Sequence, residues 1–195
     1  MAAAAARPGA GRSGMTSVSN SPIVSPRNPD HDEDAIWPEI RLGDVLERVS
    51  KPVNVVADKF YQEIGIRSHG KGLFHKPIVS GKNLGNKRVF HVEPNCFVLN
   101  IVFAWEQAVA RTTGRERGLI ASHRFPLYRA KGDIDIDFLL WFFKTPKGKR
   151  ELYLASPGGA GRNKTLNQEG FEDITIPAPS VSEQRRIADI LDTWD

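Results

Sequence analysis

A single cysteine, Cys96, stands in a chain of 195 residues, so no disulfide can close within the chain, which suits a reducing compartment. No apolar run approaches the roughly 20 residues that cross a bilayer as a helix. No apolar stretch of signal-peptide type follows the N-terminus, which argues against secretion. No segment repeats itself. Groups with an obvious chemical role are scarce as well. No Ser or Cys carries a local nucleophile signature. His69, His75, His91 and His123, taken with Cys96, have neither helical nor hairpin ligand spacing, and no second cysteine could complete a metal site. The loop GGAGRNKT at 158–165 approaches a phosphate-binding loop but holds Asn163 where a glycine must directly precede the Lys-Thr pair. Asp133, Asp135 and Asp137 alternate as the carboxylates of a small metal-dependent nuclease would. No lysine follows at the matching spacing, and helix capping accounts for at least one of the three.

Positive charge is what the chain does have, and it is unevenly placed. Residues 37–132 carry sixteen Lys and Arg against eight acids, whereas residues 1–36 are at −1 and residues 133–195 at −3. A basic middle and an acidic end point to one face for a polyanion and another for a different partner. The basic residues are interleaved with glycine and aromatics. Arg67, His69 and Lys71 share a loop with Gly70 and Gly72; Lys82, Asn83, Lys87 and Arg88 follow a glycine-bounded turn. Arg111, Arg115 and Arg117 crowd around Gly114, with His123 and Arg124 close behind, and Arg162, Asn163 and Lys164 sit in the GGAGRNKT loop. Glycine lets backbone N–H groups approach phosphates, while Arg and Asn forks match guanine and adenine edges. As a set these residues predict a duplex-DNA face.

Residues 1–36 are rich in Ala, Ser, Pro and Gly and are expected to be disordered. Their Arg content and freedom from acids before Asp30 superficially match an organelle transit peptide; a start at Met15 is the favoured alternative. Order is expected from Trp37. Gly43–Asp44 offers a helix start with Val45, Leu46 and Val49 buried, and Phe60–Ile66 reads as a strand. Arg88–Val92 and Cys96–Val102 read as strands joined by a turn at Glu93-Pro94-Asn95, with further short strands at Leu119–Ala121 and Phe125–Tyr128. Asp135 or Asp133 caps an apolar helix over Ile136–Phe143 that Pro146 stops, and another turn or two follows at Arg150–Ala155. Phe103 and Trp105 are expected in the core, with Glu106 pairing with an arginine.

The most informative stretch is the last: Phe171, Ile174 and Ile176 in a β-favouring run, a rigid Pro177/Pro179 corner, then a helix. Ser180 and Glu183 have the spacing of a capping box. Ile187, Leu191 and Trp194 form a stripe, flanked by Gln184 and Ala188, that suits packing on another helix.

IPAPSVSEQRRIADIL within this segment resembles the end of a target-recognition domain and the following helix in DNA-specificity subunits of type I restriction–modification systems. IGIRSHGKG at 64–72, FAWEQA at 103–108 and SPGGAGRNKTLNQEGFEDITIPAP at 156–179 resemble the same family in the same order. The resemblance runs from about Trp37 to the end. It implies an α+β fold: a mixed, twisted sheet with short helices over 37–179, then the start of a spacer helix from 180 to 195. It also implies a non-catalytic, cytoplasmic subunit that binds double-stranded DNA and directs its partners to a site. Those partners are methyltransferase subunits using S-adenosylmethionine and a restriction subunit using ATP and Mg²⁺; no cofactor is expected on this chain. Family members carry two such domains and continue the helix beyond the ~22 Å that Val181–Asp195 provides. One domain here implies either a homodimer through the helix, with Ile187, Leu191 and Trp194 at the interface, or a piece of a longer product. Two rival readings are a metal-dependent nuclease using the Asp133–Asp137 carboxylates and a non-functional remnant.

Overall fold

The computed structural model describes residues 37–159 and 163–194. The expected disorder of residues 1–36 and the place of Arg162 lie outside the described residues. At the centre is a four-stranded antiparallel sheet in the order β2 (Leu46–Val49), β11 (Leu127–Ala130), β8 (Phe97–Leu99), β9 (Val109–Arg111). Every pairing between its strands is antiparallel. Its side chains alternate between two cores, as the period of two along a strand requires. Phe97, Leu99, Val109, Tyr128 and Leu46 face one core; Val98, Ala110, Leu127 and Val49 face the other. Strand β8 is therefore buried throughout, and an amphipathic pattern is absent from it for that reason.

Helices cover the first face. α3 (Ile136–Lys144) starts at Asp135, whose carboxylate accepts from the Asp137 and Phe138 N–H groups at 2.9 and 3.1 Å. This is the expected cap. Thr145 closes α3 and opens α4 (Pro146–Leu154), its hydroxyl accepting from Gly148 N–H at 3.1 Å. Pro146 thus starts a helix as its first residue, where a missing N–H costs nothing, and α4 begins earlier than the expected 150–155 turn. The two helices approach so closely that a Cβ on Gly148 would lie 2.2 Å from the Phe142 carbonyl oxygen. α5 (Gln168–Glu172), capped by Asn167, holds Phe171 against Phe97, Tyr128 and Phe143 at centroid separations of 5.9, 5.0 and 5.7 Å.

Short two-stranded pairs build the other side: β3 (Phe60–Tyr61) with β6 (Val79–Ser80), β4 (Ile64–Ile66) with β5 (Leu73–His75), and β7 (Val89–His91) with β10 (Ile120–Ser122). Strand β1 (Glu39–Arg41) pairs with β12 (Thr175–Pro177), joining the start of the domain to the segment before the last helix. The α+β architecture is as expected; among the described residues, the one parallel contact is the bridge between Glu63 and Ile120.

Several local expectations are corrected. Only a four-residue turn of helix, α1 (Leu42–Val45), forms at Gly43–Asp44, and Leu46–Val49 is strand, because it pairs with β11. The run Phe60–Ile66 breaks at Gln62–Glu63 into two strands with different partners. The turn at 93–95 exists, with Asn95 at φ 56°, but its flanking strands do not pair with each other. β7 goes to β10 and β8 to β9 and β11, because Thr112 captures the turn, donating its hydroxyl to Glu93 O at 2.6 Å and accepting from Cys96 N–H at 3.0 Å. Phe171 is helical; the strand begins four residues later. Phe103 is 39% exposed, and Glu106 accepts from the Ser68 hydroxyl at 3.1 Å rather than from an arginine.

The last helix, α6 (Val181–Asp192), starts at Ser180 after the extended proline corner. Half of the expected capping box forms: Ser180 Oγ accepts from Glu183 N–H at 3.4 Å, while Glu183 turns to Arg186 at 3.1 Å. α6 lies on α3, and its buried residues are Gln184 and Ala188.

Candidate nucleic-acid interface

A cleft of about 570 Å³ opens among segments far apart in the chain. Lys76 follows β5, Asn86, Lys87 and Arg88 precede β7, Ser122 ends β10 with His123 to Phe125 after it, and Asn100, Val102 and Phe103 follow β8. Backbone bonds stitch these together: His123 N–H donates to Arg88 O at 3.1 Å, and Ile101 N–H to Arg124 O at 3.0 Å. Lys87, Arg88, His123 and Arg124 are exposed at the mouth. Glu63 and Asn100 are buried and line the same cleft. Glu63 draws Lys76 and Lys87 to 3.6 and 3.5 Å.

The other predicted residues divide by place. Arg67, His69 and Lys71 occupy a loop in which His69, Gly70 and Gly72 all have positive φ. That loop is anchored, since His69 N–H donates to Glu106 O at 2.7 Å and Gly70 N–H to Gln107 O at 2.8 Å. Arg67 donates to Leu73 O at 2.7 Å and lies 4.9 Å over the Phe74 ring, while Lys71 is exposed. His69 borders a second groove, of about 520 Å³, with Trp105, Pro146, Lys149, Arg150 and Tyr153. Lys164 reaches the same neighbourhood, its ammonium 4.2 Å over the Tyr153 ring; Asn163 beside it is exposed. The 3-10 turn Ala104–Glu106 separates the two concavities, with Phe103 lining the first and Trp105 the second.

Lys82 and Asn83 are exposed on α2 (Gly81–Leu84), which leads into Asn86–Arg88. Arg111 is committed to Asp137 at 2.6 Å, and Arg117 lies apart, in a shallow depression with His91 and Glu93. Arg115 is exposed on a 3-10 turn, Gly114–Glu116, closed by a full capping box between Thr113 and Glu116. Glu116 is buried and also meets His75 Nε2 at 2.9 Å. Burial pushes its carboxyl up, but the hydrogen bonds from Thr113 and His75 outweigh that and hold it below the usual carboxylate range. A depressed folded value contributes stability above the ordinary carboxylate pKa, about 4.3, and that stability is lost as pH falls through the lower folded value. Glu116→Gln is therefore expected to lower stability at neutral pH and to flatten acid unfolding below about pH 4. A urea titration repeated across pH reads this directly; parallel acid limbs for the two proteins would count against it.

Two of the three aspartates of the nuclease reading are occupied elsewhere. Asp135 caps α3 and lies 3.5 Å from Arg185, and Asp137 pairs with Arg111. Burial raises the Asp137 carboxyl in spite of that arginine. Among the described residues, no group of three His, Cys, Asp or Glu side chains is placed to hold a metal ion. On α6, Ile187 packs against the domain's own helical core and Leu191 is half-buried; Trp194, just beyond the helix, is 86% exposed. Sequence reasoning missed Glu63, Lys76, Asn86 and Asn100 in the cleft, and Lys149 and Arg150 beside Trp105. Nothing local marks them, since each joins its site only through tertiary contact.

An antiparallel sheet sandwiched between helices and short strand pairs, with a cation-rimmed cleft in the strand layer, defines an α+β domain built to present loops. The family model for the type I restriction modification DNA specificity domain matches residues 36–195, and the chain belongs to that family. Its fold is similar to the HsdS subunit from Thermoanaerobacter tengcongensis, with TM-score 0.67 and 17% identity over 83% of this chain and 42% of that one. It is also similar to the type I restriction-modification S subunit from M. genitalium, with TM-score 0.53 and 11% identity over 83% and 40%. A chain from a study of complex assembly and conformational transition of the type I R-M system gives TM-score 0.52 and 18% identity over 85% and 40%. The chain spans about two fifths of the length of these structures. No curated protein matched the sequence. Among the described residues, no helix is long and apolar enough to cross a membrane.

Proposed function

We propose that this chain is a DNA-reading unit of a type I specificity subunit, non-catalytic and acting in the cytoplasm. It binds a defined duplex sequence and directs methyltransferase and restriction subunits to it. The observation that carries the reading is the convergence of Lys87, Arg88, His123 and Arg124, from two distant segments, on one cleft. Exposed cations so placed suit phosphate oxygens, which set position and register on a duplex. The partners rest on family membership: methyltransferase subunits supply the S-adenosylmethionine chemistry, and a restriction subunit uses ATP and Mg²⁺. Ile190, 52% exposed on α6, and Trp194, 86% exposed just after it, leave apolar surface that suits packing on another helix, in a second copy of the chain or elsewhere in its assembly.

Selection from a random duplex library, with and without the methyltransferase subunits, tests the reading. One enriched sequence is expected, and its absence under both conditions would sink the proposal in favour of a remnant. Affinity for that sequence should fall steeply with salt, by about 0.9 in the log–log slope for each phosphate neutralised. Alanine at Arg88 or Arg124 should each reduce the slope by roughly that amount. A salt-independent affinity is incompatible with the cleft as a phosphate contact.

A further inference from the structure

We infer that the cleft floored by Glu63 receives one unstacked base from the bound DNA, a base whose edge offers N–H donors: adenine, cytosine or guanine rather than thymine. The inference rests on the chain being a duplex binder, and goes beyond it in naming what enters the cleft.

Shape is the first argument. The base edges of an intact duplex lie at the bottom of grooves, and in the major groove they are reached by protruding elements such as a helix or a β-ribbon. A concavity of about 570 Å³ protrudes into nothing. From a duplex it can take only a ridge of backbone or a base swung out of the stack.

The floor decides between those two. Glu63 is 7% exposed, and its carboxylate only accepts hydrogen bonds, so a phosphate oxygen, also an acceptor, has nothing to offer it. Its lysines stand at 3.5 and 3.6 Å, wider than the 2.7–3.2 Å of a direct hydrogen bond, so its acceptor capacity is not satisfied by them. Asn100, also buried, accepts from Val102 N–H at 3.1 Å through Oδ1, and its amide NH₂ has no partner among the described residues. A carboxylate acceptor and an amide donor that line one cleft suit the edge of a base. The amino groups of adenine and cytosine, or the adjacent N1–H and N2–H of guanine, fit a carboxylate. Thymine offers one N–H between two carbonyl oxygens, which a carboxylate repels.

Walls and mouth complete the match. Phe103 lines the cleft and is 39% exposed, and aromatic faces stack on bases of any sequence. Lys87 and Arg124 at the mouth are placed for the phosphates that flank an extruded nucleotide.

The test uses the full chain and the duplex recovered by library selection. Each base in turn is deprived of its pair by an abasic site opposite it, which lowers the cost of swinging it out. At one position, affinity should rise by about tenfold, thymine there should abolish the gain, and Glu63→Gln and Phe103→Ala should each remove it. Tight binding of the intact duplex with no position that gains would overturn the inference and leave the proposed function standing. So would a gain that survives both substitutions, because the base would then be held elsewhere. Failure to bind any duplex would overturn both. The scan with the unaltered chain decides alone if either variant fails to fold.

Discussion

Phe171→Ala is expected to cost about 3–5 kcal/mol of folding stability, a large part of what a domain of this size has in total. Phe171 is fully buried and touches three aromatic rings, each from a different element: Phe97 on β8, Tyr128 on β11 and Phe143 on α3. The sheet below and the helix beside it are fixed in place, so the vacated space cannot collapse easily, and the cavity term adds to the lost transfer energy. Urea unfolding should show a lower midpoint at an unchanged slope. Phe171→Leu, which keeps most of the volume, should lose much less. A loss below about 1 kcal/mol for the alanine variant would mean that this cluster is not the centre of the helical core.

The second large effect is expected at Gln184. Its side chain makes three hydrogen bonds from within the protein: Oε1 accepts from Asp135 N–H at 2.8 Å, and Nε2 donates to Pro179 O at 2.8 Å and Asp133 O at 3.1 Å. It joins α6 to the proline corner before it and to the start of α3, so one amide ties the last helix to the domain. Gln184→Ala leaves a part-buried N–H and two carbonyl groups short of partners, at about 1–3 kcal/mol for each group fully deprived. A total of about 2–4 kcal/mol is expected, since neighbouring water can reach part of the site. The cause is polar, so Gln184→Met, which restores volume without hydrogen bonds, should be nearly as destabilising as alanine. Rescue by methionine would show that packing, not the bonds, holds α6. Limited proteolysis should cut near the 177–180 corner in the variant before the rest of the domain opens.

The local parts of the fold were legible. Asp135 followed by a nearly all-apolar stretch announces α3, and Pro177, Pro179 and Ser180 announce the corner and the start of α6, because caps and fixed φ angles act within a few residues. Strand partners were not. Val89–His91 and Phe97–Leu99 look alike as short apolar runs on either side of a turn, yet they enter different sheets. The choice depends on Thr112, sixteen residues after Cys96, capturing the turn between them. Phe103 and Glu106 were misplaced for a similar reason. Whether an aromatic is buried depends on what lies above it, and a carboxylate's partner can come from a loop 38 residues away.

The candidate site divides along the same line. Its cations were visible as residues set among glycines, and four of them meet at one cleft. Arg111 was equally visible, but Asp137 claims it across 26 residues. Glu63 gave no sign, since one carboxylate in a basic stretch reads as an ordinary surface acid.

The sequence alone determined the α+β class, the basic middle of the chain, the capped helices and the family, because each rests on composition, on short-range bonding or on motifs kept in order. Tertiary structure alone decided which strands pair, which cations remain available, and that a buried carboxylate and an exposed phenylalanine share one cleft. Pairing, burial and charge neutralisation depend on distances between residues far apart in the chain, and only the folded backbone sets those distances.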